Sequence, residues 1–303
     1  MRVESVRERT ALVQMAFFRC LNSAQVEGFV LDRPDRTAHA REVATQRLLD
    51  RLRRRGLVAA TPRLAGGPGG GSARVVYSLT EAGYRLANAL DPSRPARRPP
   101  PRTTLFIEHA LMTADVALAF LRSARAHPGH HVSAWEPEWE AAERLGSLAV
   151  VPDGHLRYAT DDWEISAFVE VDLASERPRR FAQKIAKYLA AYRSASWRQR
   201  MTAWPLVLTV TPDPARATEL RCSTEELLEL ERRAGRTANA AEFDFTELAA
   251  LQAGPLDPIW QVAGKAGRHP LIPCDEAGSP DPRQGSVGGR PETNERAAED
   301  KDG

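Results

Sequence analysis

Apolar residues recur at helical spacing along the first sixty positions. In residues 8–21, Leu12, Met15, Ala16, Phe18 and Leu21 fall on one side of a helix. Residues 23–30 predict a short second helix, with Ser23 as its N-cap. Residues 37–55 predict a longer third helix whose apolar face carries Val43, Leu48, Leu49 and Leu52, closed by Gly56. Two strand-like segments follow, 57–64 and 74–79, separated by a glycine-rich loop at 65–72 that is too flexible to pack. Thr80-Glu81-Ala82-Gly83 opens another helix that ends near Leu90.

The pattern then breaks. Residues 91–102, rich in proline and arginine, read as a semi-extended linker. Beyond it come a strongly apolar helix (105–126), strands at 131–135, 154–160 and 164–173, a helix at 179–194 and a strand at 205–211. From 264 onward glycine, proline and charge alternate without period, which predicts a disordered tail. The expected organisation is therefore a first domain over 1–90, a linker over 91–102, an α/β domain with a mixed sheet over 103–263, and a tail over 264–303. The fold class expected overall is α+β.

Charge separates the two halves. Residues 1–101 hold 18 arginines, no lysine and nine acidic residues, whereas the rest holds 24 basic against 31 acidic residues. A basic front half is the electrostatic footprint of a nucleic-acid binder. The order of three helices and a glycine-tipped hairpin is that of a winged helix, whose third helix enters the major groove of double-stranded DNA. His39, Arg41, Glu42, Thr45 and Gln46 are the candidates for base edges. Arg47, Arg51, Arg54, Arg63 and Arg74 suit phosphates, which position the protein without specifying sequence. Cys20, Cys222 and Cys274 are too scattered for a disulfide framework or a zinc site. The chain shows neither a signal-peptide core nor an apolar run of about 20 residues, so a cytoplasmic location without a membrane is expected.

A second chemistry lies near the middle. On a strand through 164–173, Glu170 and Asp172 share a face with Phe168, while Val169, Val171 and Leu173 take the other. A hairpin turned at Asp161-Asp162 would bring Asp153 beside them. Three clustered carboxylates suit Mg²⁺, a hard cation that takes oxygen ligands. The chain has only four lysines, Lys184, Lys187, Lys265 and Lys301, and Lys184 stands where the following helix reaches back toward the acids.

Pro152-Asp153 followed by Glu170-Val171-Asp172 resembles a PD-(D/E)xK nuclease core, with Asp where that motif carries lysine and Lys184 as its stand-in. The resemblance makes Asp153, Glu170, Asp172 and Lys184 the expected catalytic set, and the three carboxylates the expected Mg²⁺ ligands. The wider pattern resembles the replication-relaxation family over about residues 8–263. Its marks are the N-terminal winged helix, His109-Ala110-Leu111, Trp135-Glu136, Glu170-Val171-Asp172, Ala174-Ser175-Glu176 and the Lys184/Lys187-Tyr188/Tyr192 helix. That resemblance implies a DNA-binding protein of plasmid or mobile-element replication and transfer-DNA relaxation, with a relaxase or replication initiator as partner. Three readings stay open: a binding protein with a degenerate nuclease-like domain, an active Mg²⁺-dependent endonuclease or nickase, and a winged-helix transcriptional regulator. The helix over 105–126 would serve either a homodimer or the second domain's sheet.

Overall fold

The computed structural model describes residues 5–31, 37–61, 75–96, 103–175, 178–236, 241–272 and 287–289. The first unit is built from α1 (Val6–Phe18), α2 (Ser23–Val30), α3 (Ala38–Arg54) and α4 (Glu81–Leu90). A small antiparallel sheet joins them, in the order β1 (Leu21–Asn22), β3 (Val76–Leu79), β2 (Val58–Thr61). Local chemistry sets these boundaries. The Ser5 hydroxyl caps α1, Thr37 caps α3 and Thr80 caps α4. Asn22, rather than Ser23, caps α2, in a reciprocal capping box with Gln25. Leu12, Met15, Leu48, Leu49 and Leu52 close the core between α1 and α3.

Helix α5 (Thr104–Ala126) follows, and its apolar residues divide between two cores. Ala114, Ala117 and Leu118 join the first unit, while Met112, Val116 and Phe120 pack on the large sheet. Polar bonds reinforce the first contact: Gln25 Nε2 donates to the Leu111 carbonyl at 2.7 Å and to Asp115 at 2.8 Å. Arg125 donates to the Gly28 carbonyl at 2.8 Å. By length and composition α5 is the one described helix apolar enough to cross a membrane. Its buried apolar residues pack into these two cores and, at Ile107 and Ala110, against Cys20 and Val76.

The large sheet runs β4 (His131–Pro137), β5 (Gly154–Ala159), β6 (Trp163–Val171), β7 (Leu206–Thr211), β8 (Phe243–Glu247), β9 (Gln261–Val262). Strands β4, β5 and β6 are antiparallel neighbours, β6, β7 and β8 run parallel, and β9 returns antiparallel. A short segment, β10 (Val287–Gly289), pairs with the start of β6. The β6–β7 crossover holds α7 (Pro178–Ser194) and the β7–β8 crossover holds α8 (Pro214–Arg233), as parallel pairing requires. The short helices α6 (Glu138–Leu145) and α9 (Leu248–Ala253) complete the fold. One sheet face packs on α5 and α9 through Leu156, Val169, Leu208 and Trp260. The other packs on α7 and α8 through Phe168, Ile185, Leu189, Leu220 and Phe245.

Two expectations need correction. Residues 264–272, read as the start of a disordered tail, are structured: Trp260 and His269 form an antiparallel bridge, and Leu271 and Ile272 are buried. Their few apolar residues anchor on the sheet edge although they are too short to show a period. The stretch after Thr211 also carries α8 and β8, which the pattern reading left unassigned. Cys20 is buried and Cys222 exposed, while Cys274 lies outside the described residues.

Candidate functional site

Helix α3 presents a mixed exposed face. His39, Glu42, Gln46, Arg47, Arg53 and Arg54 are exposed. Gln46 donates to Asp50 at 3.2 Å, and Arg53 stands 3.7 Å from the same carboxylate. Three expected contact residues are committed elsewhere. Thr45 is buried at 2% exposure and donates to the Arg41 carbonyl at 2.9 Å. It therefore cannot reach a base edge, because positions 45, 48, 49 and 52 all share the core-facing side of the helix. Arg41 pairs with Glu27 at 3.0 Å. Arg51 lies 3.3 Å from Glu8, a fully buried carboxylate on α1 that also takes Arg55 at 2.8 Å. These two arginines fix the angle of α3 against α1. Arg63 and Arg74 lie outside the described residues. Arg53 was not singled out by its sequence context and joins the exposed set.

The acidic residues occupy the α7–α8 side of the sheet and its β5 end. The alternation of β6 sends Phe168, Glu170 and Asp172 to one face and Val169 and Val171 to the other. Asp153 sits just before β5, its N–H donating to the Val169 carbonyl at 2.9 Å and its Oδ2 accepting from the Val171 N–H at 2.8 Å. Gly154 beside it is a tight spot, since a Cβ there would come 2.7 Å from the Trp135 ring.

Lys184 and Tyr188, one turn apart on α7, both reach Glu170: the ammonium donates to Oε2 and the phenol to Oε1. Lys184 Nζ also stands 3.8 Å from Asp153. From α5, His109 Nε2 approaches Asp153 Oδ2 at 3.2 Å. The result is a chain of groups, His109–Asp153–Lys184–Glu170–Tyr188, assembled from four elements or their edges: α5, the start of β5, β6 and α7. Burial pushes the Glu170 carboxyl up to about 8, and the charge on Asp153 adds to that; Lys184 and Tyr188 act against it. Burial also works to raise Asp153, but Lys184, His109 and the Val171 N–H together hold it well below the usual carboxylate range. Burial lowers His109, and its bond to Asp153 outweighs that and leaves it raised. Burial and Glu170 both lift Tyr188 well above an ordinary phenol. The two carboxyls are therefore pushed in opposite directions, Asp153 toward its charged form and Glu170 toward its protonated form.

Asp172 does not join this chain. Arg216, at the start of α8, grips it with two bonds, Nε to Oδ1 at 2.8 Å and Nη2 to Oδ2 at 3.0 Å. The Ala174 N–H adds a third at 2.8 Å. Arg216 comes from 44 residues away, and no local spacing marks it. His109, in the sequence only one mark of the family pattern, is half-exposed and touches Asp153.

The donor set does not fit the Mg²⁺ that the nuclease resemblance implies. Among the described residues no three His, Cys, Asp or Glu side chains converge as a metal site. Both oxygens of Glu170 are engaged by Lys184 and Tyr188, and both oxygens of Asp172 by Arg216. Mg²⁺ demands a near-octahedral set of oxygens, and here an ammonium and a guanidinium hold the positions it would need.

Fold and site together define a mixed α/β protein with a basic helical unit fused to a large sheet that carries a lysine-filled acidic cluster. The replication-relaxation family model matches residues 12–207, more than half of the chain, and the chain belongs to that family. Searches of curated proteins and of solved structures return no match.

Proposed function

We propose that this protein binds duplex DNA of a plasmid or mobile element during replication or relaxation, using its first unit as a winged helix. The second unit is a nuclease-like fold that serves for contact and does not cut. The observation that carries the reading is the solvent-facing side of α3. Gln46, Arg47, Arg53 and Arg54 project there from a unit with a surplus of positive charge. A single helix fits the major groove, with amide side chains suited to base edges and arginines suited to phosphates. Membership of the replication-relaxation family supports the biological setting. A relaxase or replication initiator is the partner class that such a role calls for.

The non-cleaving half of the reading rests on Lys184, Tyr188 and Arg216, which occupy the carboxyl oxygens that a nuclease would offer to its metal. A two-part experiment tests it. Wild-type protein and Arg47→Ala/Arg54→Ala are titrated against duplex DNA from the element's replication or transfer origin. Supercoiled plasmid is incubated with the wild type and Mg²⁺. The reading requires binding that the double substitution weakens at least tenfold, and plasmid that stays supercoiled. Nicking that disappears in Asp153→Ala and in Glu170→Ala would overturn the non-cleaving assignment.

A further inference from the structure

Near the start of β8, Asp244 carries its side chain on the sheet face opposite Phe243 and Phe245, which pack with α7 and α8. It is 4% exposed, and its Oδ1 has no hydrogen-bond partner among the described residues. Buried polar atoms are almost always bonded, so an exception calls for a physical account. Burial, together with the charge of Glu242, drives this carboxyl well up from its usual range, with Lys265 acting against them.

A cavity of about 150 Å³ opens beside Asp244. Leu206, Val262 and Leu271 give it apolar walls; Glu242, Lys265 and His269 supply its other polar groups. Lys265 is already committed, donating to Glu242 at 2.7 Å, and His269 Nε2 bonds to the Ala266 carbonyl at 2.8 Å. Lys265 is paired with Glu242, which leaves Asp244 without a counter-charge of its own among the described residues. The cavity is separated from Glu170 by the sheet itself: Asp244 pairs with Leu208 and Glu170 with the adjacent Thr209, but Glu170 shares the face of Phe168 and Asp244 takes the other.

We propose that this cavity binds a small organic cation with N–H donors, of the guanidine or protonated-amine class. The missing partner of Oδ1 is a donor, and a positive charge in the cavity would offset the burial that favours the neutral carboxyl, so one N–H-bearing cation supplies both. The space suits a body of several heavy atoms, since about 10–15 Å³ of such volume holds one water. The aliphatic walls suit its carbon or flat π surface. A divalent metal is a poorer occupant, because among the described residues no third carboxylate or imidazole converges with Asp244 and Glu242 as a metal site. This inference stands apart from the DNA-binding reading and holds or fails without it.

The test uses the full chain and three probes in calorimetric titration: methylguanidinium, putrescine and, as a neutral donor of similar size, urea. Saturable binding of methylguanidinium or putrescine, weakened at least tenfold in the near-isosteric Asp244→Asn and absent for urea, is the expected result. A second readout needs no variant: the carboxyl ¹³C resonance of Asp244 in the wild type moves as the cation saturates. Equal binding by wild type and Asp244→Asn, or a resonance that stays still at saturating probe, would leave a water-filled cavity only and overturn the assignment.

Discussion

Replacing Arg216 with methionine leaves the buried carboxylate of Asp172 facing a thioether. In the native protein Arg216 and Asp172 are 6% and 8% exposed and share two bonds of 2.8 and 3.0 Å. Only the Ala174 N–H would remain to stabilise the charge. Stripping one partner from a buried ion pair costs about 3–5 kcal/mol, which corresponds to a fall in Tm of roughly 10 °C for a domain of this size. Urea unfolding, with thermal melts as a check, measures the loss. Replacing both partners, Asp172→Leu with Arg216→Met, should recover most of it, because apolar pairs of similar volume often match buried ion pairs. A loss below about 1 kcal/mol in Arg216→Met would refute the reasoning. It would mean that Asp172 does not depend on the guanidinium, and that its oxygens are free for another ligand, a metal included.

Other consequences follow from neighbouring contacts. Gly83 lies in α4, where alanine usually stabilises by about 0.5–1 kcal/mol. A Cβ there would meet the Leu57 carbonyl oxygen at 2.1 Å, so Gly83→Ala should reverse that sign and lower stability in a chemical-denaturation series. Glu8→Gln removes the charge that holds Arg51 and Arg55. It should cost about 1–3 kcal/mol and loosen α3, which proteolysis of the first unit would detect. For Glu170, the folded-state pKa of about 8 lies above the unfolded carboxyl value. Its contribution to stability is therefore fully present below about pH 4.3 and is lost as pH rises toward 8. Glu170→Gln, measured beside the wild type from pH 5 to 9, should flatten that decline; parallel curves would argue against it.

Much of the fold is legible in the sequence because its elements obey simple periods. Helices α1 to α5 and strands β2 to β7 sit within a few residues of where apolar spacing and capping residues put them. Thr45 was legible too, since it lies three and four residues before Leu48 and Leu49 and so shares their face. Reading it as outward gave weight to its position near the helix start over its phase. The commitments of Arg41, Arg51 and Asp172 were not legible. Each depends on a partner supplied by tertiary packing, Glu27, Glu8 and Arg216 respectively, and the last comes from 44 residues away. The convergence of Lys184 with Asp153 and Glu170 was within reach of pattern reasoning, because a crossover helix returns along the sheet face that β6 presents. What pattern could not give was how fully that lysine and Tyr188 occupy the Glu170 oxygens.

The central claim is that α3 binds duplex DNA through its exposed arginines, and the salt dependence of binding tests it most directly. Fluorescence anisotropy with a labelled origin duplex, repeated across a range of salt concentrations, gives the slope of log affinity against log salt. Each phosphate contact contributes about 0.9 to that slope. Arg47→Ala/Arg54→Ala should therefore flatten it by about 2 relative to the wild type. A wild type that fails to bind the duplex at low salt, or a double variant with an unchanged slope, would contradict the account.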